Sequence, residues 1–277
     1  MSFLIEAFEP AFMQRALIGG LIAVVATSLV GTWIVLRGLS FLGDALAHGV
    51  IPGVALAVLW GFNPALGAFL SALVMSGLVT FVSNRTPVRD DTAIGLLFVG
   101  MLALGVVIVS KAGSFKTDVT AILFGDALGI TARDIQTQII YTSIVVVLTG
   151  FLYRPFLALT FNQMKAQTLG MRPRMAQAAL LGLLSLSIVA SFQSIGTLLV
   201  FGLLVAPPAT ASLLVKRVPL IMAVSVLLGS LSVVAGLVIS FHHGTAGGAT
   251  MAGISVLLFF TVLIGHTGIT FFRKLKT

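Results

Sequence analysis

No cysteine occurs among the 277 residues, so disulfides, thiolate metal sites and iron–sulfur clusters are excluded, and any metal must be held by nitrogen and oxygen. Charge is scarce as well. Sixteen Lys and Arg and eight Asp and Glu make up 9% of the positions, against about 25% in an ordinary soluble domain. A water-facing chain of this size needs a charged exterior that so few ionisable groups cannot cover. Also missing are the G-x-x-x-x-G-K-[ST] phosphate loop, the H-E-x-x-H zinc helix and the G-x-S-x-G nucleophile elbow, so the chain is not expected to hydrolyse ATP itself or to act as an enzyme. No fixed-period repeat, low-complexity tract or linker divides residues 1–277, which read as one membrane domain.

What is abundant is apolar surface, 58% of residues. A spanning helix needs about 20 mostly apolar residues, and such windows fall at 14–36, 44–60, 64–83, 92–111, 135–153, 176–193, 195–215, 219–241 and 250–271. Lipid offers the backbone no hydrogen bonds, so only helices or closed barrels span it, and unbroken apolar runs without strand-like alternation point to helices. The expected fold is an all-α integral membrane protein, a bundle of eight or nine transmembrane helices, with lipid as its surrounding partner.

The formal net charge of +8 does not imply nucleic acid, because the basic residues lie in short runs between apolar segments, as the positive-inside pattern requires. Arg85 and Arg89, then Arg154, Lys165, Arg172 and Arg174, then Lys216 and Arg217, and finally Arg273, Lys274 and Lys276 mark four clusters that nine spans place in the cytoplasm. The C-terminus is then inside, and the same count puts the N-terminus outside. The opening MSFLIEAFEPAFMQR has two glutamates and no basic start, unlike a cleaved signal peptide. Residues 112–134 read as an external loop with a short amphipathic helix, and residues 154–176 as the longest cytoplasmic connection, where a soluble partner would find its handle.

Ionisable side chains within spans cost at least about 2.5–3.5 kcal/mol each on insertion scales, so those present are candidates for function. Asp44 and His48, in LRGLSFLGDALAHGVIPGVALA, share one helical face at i and i+4. Carboxylate and imidazole suit zinc or manganese when thiolate is absent. One helix supplies two donors, and two copies about a two-fold axis would complete an Asp2His2 site on a pore axis; an intrahelical Asp–His hydrogen bond is the alternative. Gly49, Pro52 and Gly53 follow at once and are able to break the helix, as at transporter ion sites, or merely to kink it for packing. His242 and His243 at the outer end of the eighth span are a possible secondary metal site or simply solvated, and His266 is expected to bond across helices. Gly196, Thr197, Pro207, Pro208 and Thr210 in SIGTLLVFGLLVAPPATASLL suggest a helix that lines the pore, an interface, or packing alone.

Several ordered motifs carry a resemblance over nearly the whole chain. LRGLSFLGDALAHGVIPG (36–53), DTAIGLLF (91–98), ILFG (122–125), RPF (154–156) and QSIGTLLVFGLLVAPPATASLL (193–214) together resemble the permease subunits of bacterial zinc and manganese ABC importers. The resemblance implies a type II importer-like fold in the bacterial inner membrane and a metal path lined by Asp44 and His48. It also implies a homodimer of permeases, a cytoplasmic ATPase dimer that uses the ATP, and an external solute-binding protein. The cargo would be Zn2+ or Mn2+, with no permanently bound cofactor. Phe161, Asn162, Gln163, Ala166 and Gly170 fall in the implied ATPase-coupling helix; family members often begin it F-D-P-E, where this chain has Phe161, Asn162, Gln163 and Met164. Rival expectations are a permease for a metal chelate such as a siderophore or haem, a secondary metal or proton antiporter, and an intramembrane metalloenzyme.

Overall fold

A computed structural model describes residues 6–85, 90–111, 129–161 and 172–274. Among them the chain forms α1 (Ala11–Leu36), α2 (Ser40–Gly49), α3 (Ile51–Trp60), α4 (Pro64–Arg85), α5 (Asp90–Lys111), α6 (Ala132–Phe151), α7 (Tyr153–Phe161), α8 (Pro173–Ile195), α9 (Thr197–Leu214), α10 (Val218–His243) and α11 (Gly247–Lys274). Helices α2 and α3 are the two halves of one span, Ser40–Trp60. With that pair counted once, eight spans among the described residues are long and apolar enough to cross a membrane, and α9 is a shorter apolar helix beside them. The protein is thus an all-α, multi-pass membrane bundle. Most of the expected external loop, residues 112–128, lies outside the described residues.

Helix α1 is the central post. It packs against α6, α8, α9 and α10, and α11 closes the bundle over α9 and α10. Small residues permit this density: at Gly31 a Cβ would collide with the carbonyl oxygen of Leu204 on α9, and at Gly20 it would lie 2.7 Å from Cγ1 of Val233 on α10. Such close approach is the main source of packing energy between helices in lipid, where the hydrophobic effect contributes nothing between them.

Several core hydroxyls bond back to their own helix. Thr27 donates to the Ala23 carbonyl (2.9 Å), Thr32 to Ser28 (2.7 Å), Ser191 to Ser187 (2.8 Å) and Thr210 to Ala206 (2.7 Å), the i−4 back-bonding that hydroxyls adopt in helices. Gln138 of α6 reaches across to donate to the Gly19 carbonyl of α1 at 2.9 Å.

The turns follow local rules. Helix α1 ends with Gly38 left-handed (φ 68°), the Leu39 N–H bonding to Ile34 and the Gly38 N–H to Val35, a Schellman stop. Gly61 (φ 71°) ends α3 in the same way, and Asn63 caps α4 by accepting from the Ala65 N–H at 2.8 Å. Thr131 and Asp134 form a reciprocal capping box at the start of α6. The faces turned outward are apolar: Leu96, Val99, Val106 and Val107 on α5, Ile140 and Val147 on α6, and Leu257, Phe260 and Ile264 on α11 are all exposed.

Candidate metal site

The Schellman turn at Gly38 sends the chain straight from α1 into α2, whose fifth and ninth residues are Asp44 and His48. Both side chains are half-buried. The Nε2 of His48 lies 3.8 Å from Oδ1 of Asp44, beyond hydrogen-bond range. Two donors held about 2.1 Å from one tetrahedral ion stand about 3.4 Å apart, so a small side-chain rotation lets both reach a shared cation. At this spacing the intrahelical hydrogen bond is not formed.

The imidazole is held by packing. Its ring stands edge-on to Phe98 of α5, centroids 5.0 Å apart at 81°, and Phe98 in turn meets Phe41 at 6.1 Å. Among the described residues the buried Nδ1 of His48 meets no hydrogen-bond partner.

Helix α2 lies between α5 and α9 and touches α4. At Gly43 a Cβ would come within 2.6 Å of Leu204 Cδ2, so α9 bears directly on the helix carrying Asp44. The break expected after the pair is present: α2 ends at Gly49, Val50 links the halves, and Pro52 stands in the first turn of α3.

Among the described residues no three His, Asp or Glu side chains come together. Asp44 and His48 therefore stand as a two-donor set within one chain, and His242 and His243 do not join them. His242 Nδ1 lies 2.9 Å from the Val238 carbonyl oxygen, with its ring edge-on to Phe241 at 5.3 Å; His243 is exposed in the last turn of α10, and His266 is exposed on α11.

Gly196 caps α9 with φ 88°, and Thr197 opens that helix. Pro207 and Pro208 are buried within it. Pro208 Cγ lies 3.2 Å from where a Cβ of Gly31 would stand, and Pro207 Cγ 3.6 Å from that of Gly229, so the pair packs between α1 and α10. Thr210 is 1% exposed. Of the expected coupling residues, Phe161 is the exposed last residue of α7; Asn162, Gln163, Ala166 and Gly170 lie outside the described residues.

Two contacts at the site were not anticipated from the sequence. One is Phe98 on the His48 ring. The other is Ser71 of α4, whose Oγ donates to the carbonyl of Gly49 at 2.6 Å. A polar residue recurring on a span's inner face is a weak signal for such a role, and nothing in the sequence says which backbone group it meets.

Comparison with known proteins places these features in context. Residues 9–266 match the model of the ABC 3 transport family. The manganese transport system membrane protein MntC of Listeria monocytogenes is 33% identical over 276 residues, covering 99% of this chain and 98% of the relative. A probable iron transport system membrane protein of Haemophilus influenzae is also 33% identical, over 267 residues that cover 96% and 98% of the two chains. Among solved structures, PsaBC from Streptococcus pneumoniae in complex with Fab superposes with a TM-score of 0.85 at 30% identity, covering 94% of each chain.

Proposed function

The chain belongs to the ABC 3 transport family, and from that premise we propose that it is the membrane-spanning permease of an inner-membrane importer for a divalent transition metal ion, with Asp44 and His48 as the residues the ion meets in transit. ATP hydrolysis belongs to a separate ATPase subunit. The observation that carries the reading is the approach of His48 Nε2 to Asp44 Oδ1, 3.8 Å, on a half-buried helix broken directly after the pair. Membership of an ABC family leaves no place for the antiporter expectation.

Manganese is the first candidate cargo. Oxygen and imidazole donors suit it, as they do zinc and iron, and affinity order alone does not separate these ions. MntC is named for manganese and the Haemophilus relative for iron, so family membership does not choose between these metals, and choice among them rests on geometry and on the protein that delivers the ion.

Two donors are too few to strip an ion of its water, and a second permease completes the set. In a two-fold dimer with α2 near the axis, two copies of Asp44 and His48 give four ligands, and the apolar outward face of α5 supplies contact area. The working assembly is then two permeases, two ATPases docked at the connection after Phe161, and an external solute-binding protein. ATP binding closes the ATPases, the permeases rearrange about the axial pair, and the ion passes inward.

Equilibrium binding of Mn2+ and Zn2+ to the purified permease–ATPase complex tests this. One ion per two permeases is expected, lost in Asp44→Asn and in His48→Gln. Unchanged stoichiometry in both variants contradicts the assignment and favours a chelate cargo, which needs a wide cavity without protein ligands.

A further inference from the structure

We propose that Ser71 is a positioning residue for the metal site, acting through the backbone that follows His48. The inference rests on the assignment of His48 as a ligand. It begins with Pro52, which has no N–H for the His48 carbonyl four residues earlier and whose ring crowds that carbonyl. The span therefore cannot run as one regular helix through residues 48–52, and some other contact must fix the angle at which α2 leaves α3. The Ser71 hydroxyl supplies it: it donates to the carbonyl of Gly49, the residue next to His48, at 2.6 Å from a helix 22 positions away in sequence.

The surroundings leave that bond little slack. Ser71 is 8% exposed. Gly49 lies against Met75 Sδ, one turn further along α4, with no space for a side chain. Gly53 and Gly67 meet backbone to backbone, each occupying the place where the other's Cβ would point, and Ser71 Cβ itself would be 2.5 Å from a Cβ at Gly53. Helix α3 is thus pinned to α4 along two turns. Beside Ser71 opens an apolar groove of about 300 Å³, walled by Leu56, Trp60, Leu70, Val74 and Leu104.

Helix α2, by contrast, rides on α5 and α9. Val50 is where these two attachments meet, and the Ser71–Gly49 bond ties the last residue of α2, immediately beside the ligand, to α4, the helix that pins α3. It sets where the His48 ring stands relative to Asp44. Loss of the donor leaves the fold's glycine contacts in place but lets the first residue after His48 turn, which changes the ligand geometry. Residues that orient metal ligands typically change affinity about 10–100-fold when removed.

The test uses the full permease–ATPase complex with Co2+ as probe, because its visible absorption reports coordination number and geometry. Wild type, Ser71→Ala, Ser71→Thr and His48→Ala are compared for Co2+ affinity, for the Co2+ spectrum and for ATPase rate without metal. The expected result is weakening of Co2+ binding by about tenfold in Ser71→Ala, with a shifted visible band and an unchanged basal ATPase rate, while Ser71→Thr keeps the wild-type band. If Ser71→Ala does not yield folded complex, Ser71→Cys, of similar size and a weak donor, is read in its place with the same expectation. A wild-type spectrum and affinity in the variant lacking the hydroxyl overturns the proposal, as does equal impairment in Ser71→Thr, which would make the effect one of packing. His48→Ala separates the two levels of inference: if it binds Co2+ like wild type, the ligand assignment itself fails, whereas loss in His48→Ala with none in Ser71→Ala rejects only the role of Ser71.

Discussion

His48 stands edge-on to Phe98, the ring centroids 5.0 Å apart at 81°, so the aromatic that steadies the candidate ligand comes from α5, a different span from the one that carries it. Edge-on pairs of this kind contribute about 0.5–1.5 kcal/mol beyond area burial. Phe98→Leu keeps most of the apolar volume and removes the ring. The expected outcome is folded, membrane-inserted protein with a metal KM for uptake raised about two- to thirteenfold, the factor that such an energy corresponds to. Uptake kinetics in proteoliposomes check it.

Gly105 and Gly100 lie on the same helix and predict opposite behaviour. A Cβ at Gly105 would stand 2.8 Å from Ile51 Cγ2 and 3.4 Å from the Pro52 nitrogen, whereas one at Gly100 meets nothing within 4 Å. Gly100→Ala is expected to be neutral or to stabilise by up to about 1 kcal/mol through the unfolded chain. Gly105→Leu overpacks the contact of α5 with α3 and is expected to cost about 1–3 kcal/mol. Thermal unfolding of the detergent-purified protein, followed by tryptophan fluorescence, ranks the two.

At Gly31 the obstacle is backbone: a Cβ would run into the Leu204 carbonyl oxygen. A carbonyl within a helix does not swing away like a side chain, so Gly31→Ala separates α1 from α9 along its length. The expected result is a loss of yield and of melting temperature larger than for Gly105→Leu, seen in the same unfolding measurement.

Thr131 and Asp134 exchange hydrogen bonds at the start of α6: the Thr131 N–H donates to Asp134 Oδ2 at 3.0 Å, and the Asp134 N–H donates to Thr131 Oγ1 at 3.3 Å. Thr131→Ala removes one half of the box and is expected to cost about 1 kcal/mol. Faster amide hydrogen exchange confined to the first turn of α6, with metal uptake unchanged, is the predicted signature.

The spans were legible in the sequence because lipid leaves so few solutions: about 20 apolar residues per helix, with charge and glycine at the ends. Every expected window contains an observed helix. The second begins at Ser40 rather than near residue 44, because Arg37, Gly38, Ser40 and Gly43 dilute the apolar signal of Phe41 and Leu42. That Asp44 and His48 share one helical face was legible through spacing, since i and i+4 point the same way; their proposed role comes from the family resemblance. What surrounds them was not legible. Phe98 and Ser71 reach the pair through tertiary packing, and sequence offers no measure of which aromatic or hydroxyl among many lies opposite. Thr210 shows the same limit from the other side: a hydroxyl in a span reads identically whether it lines a path or bonds to its own helix, and here it donates to Ala206.

The central claim is that the ion passes through Asp44 and His48. It is tested most directly by radioactive Mn2+ uptake into proteoliposomes holding the permease, its ATPase and the solute-binding protein, with ATP hydrolysis recorded in the same vesicles. The account predicts that Asp44→Ala and His48→Ala each abolish uptake while the complex assembles and hydrolyses ATP in the absence of metal at the wild-type rate. Wild-type uptake in both variants would contradict it.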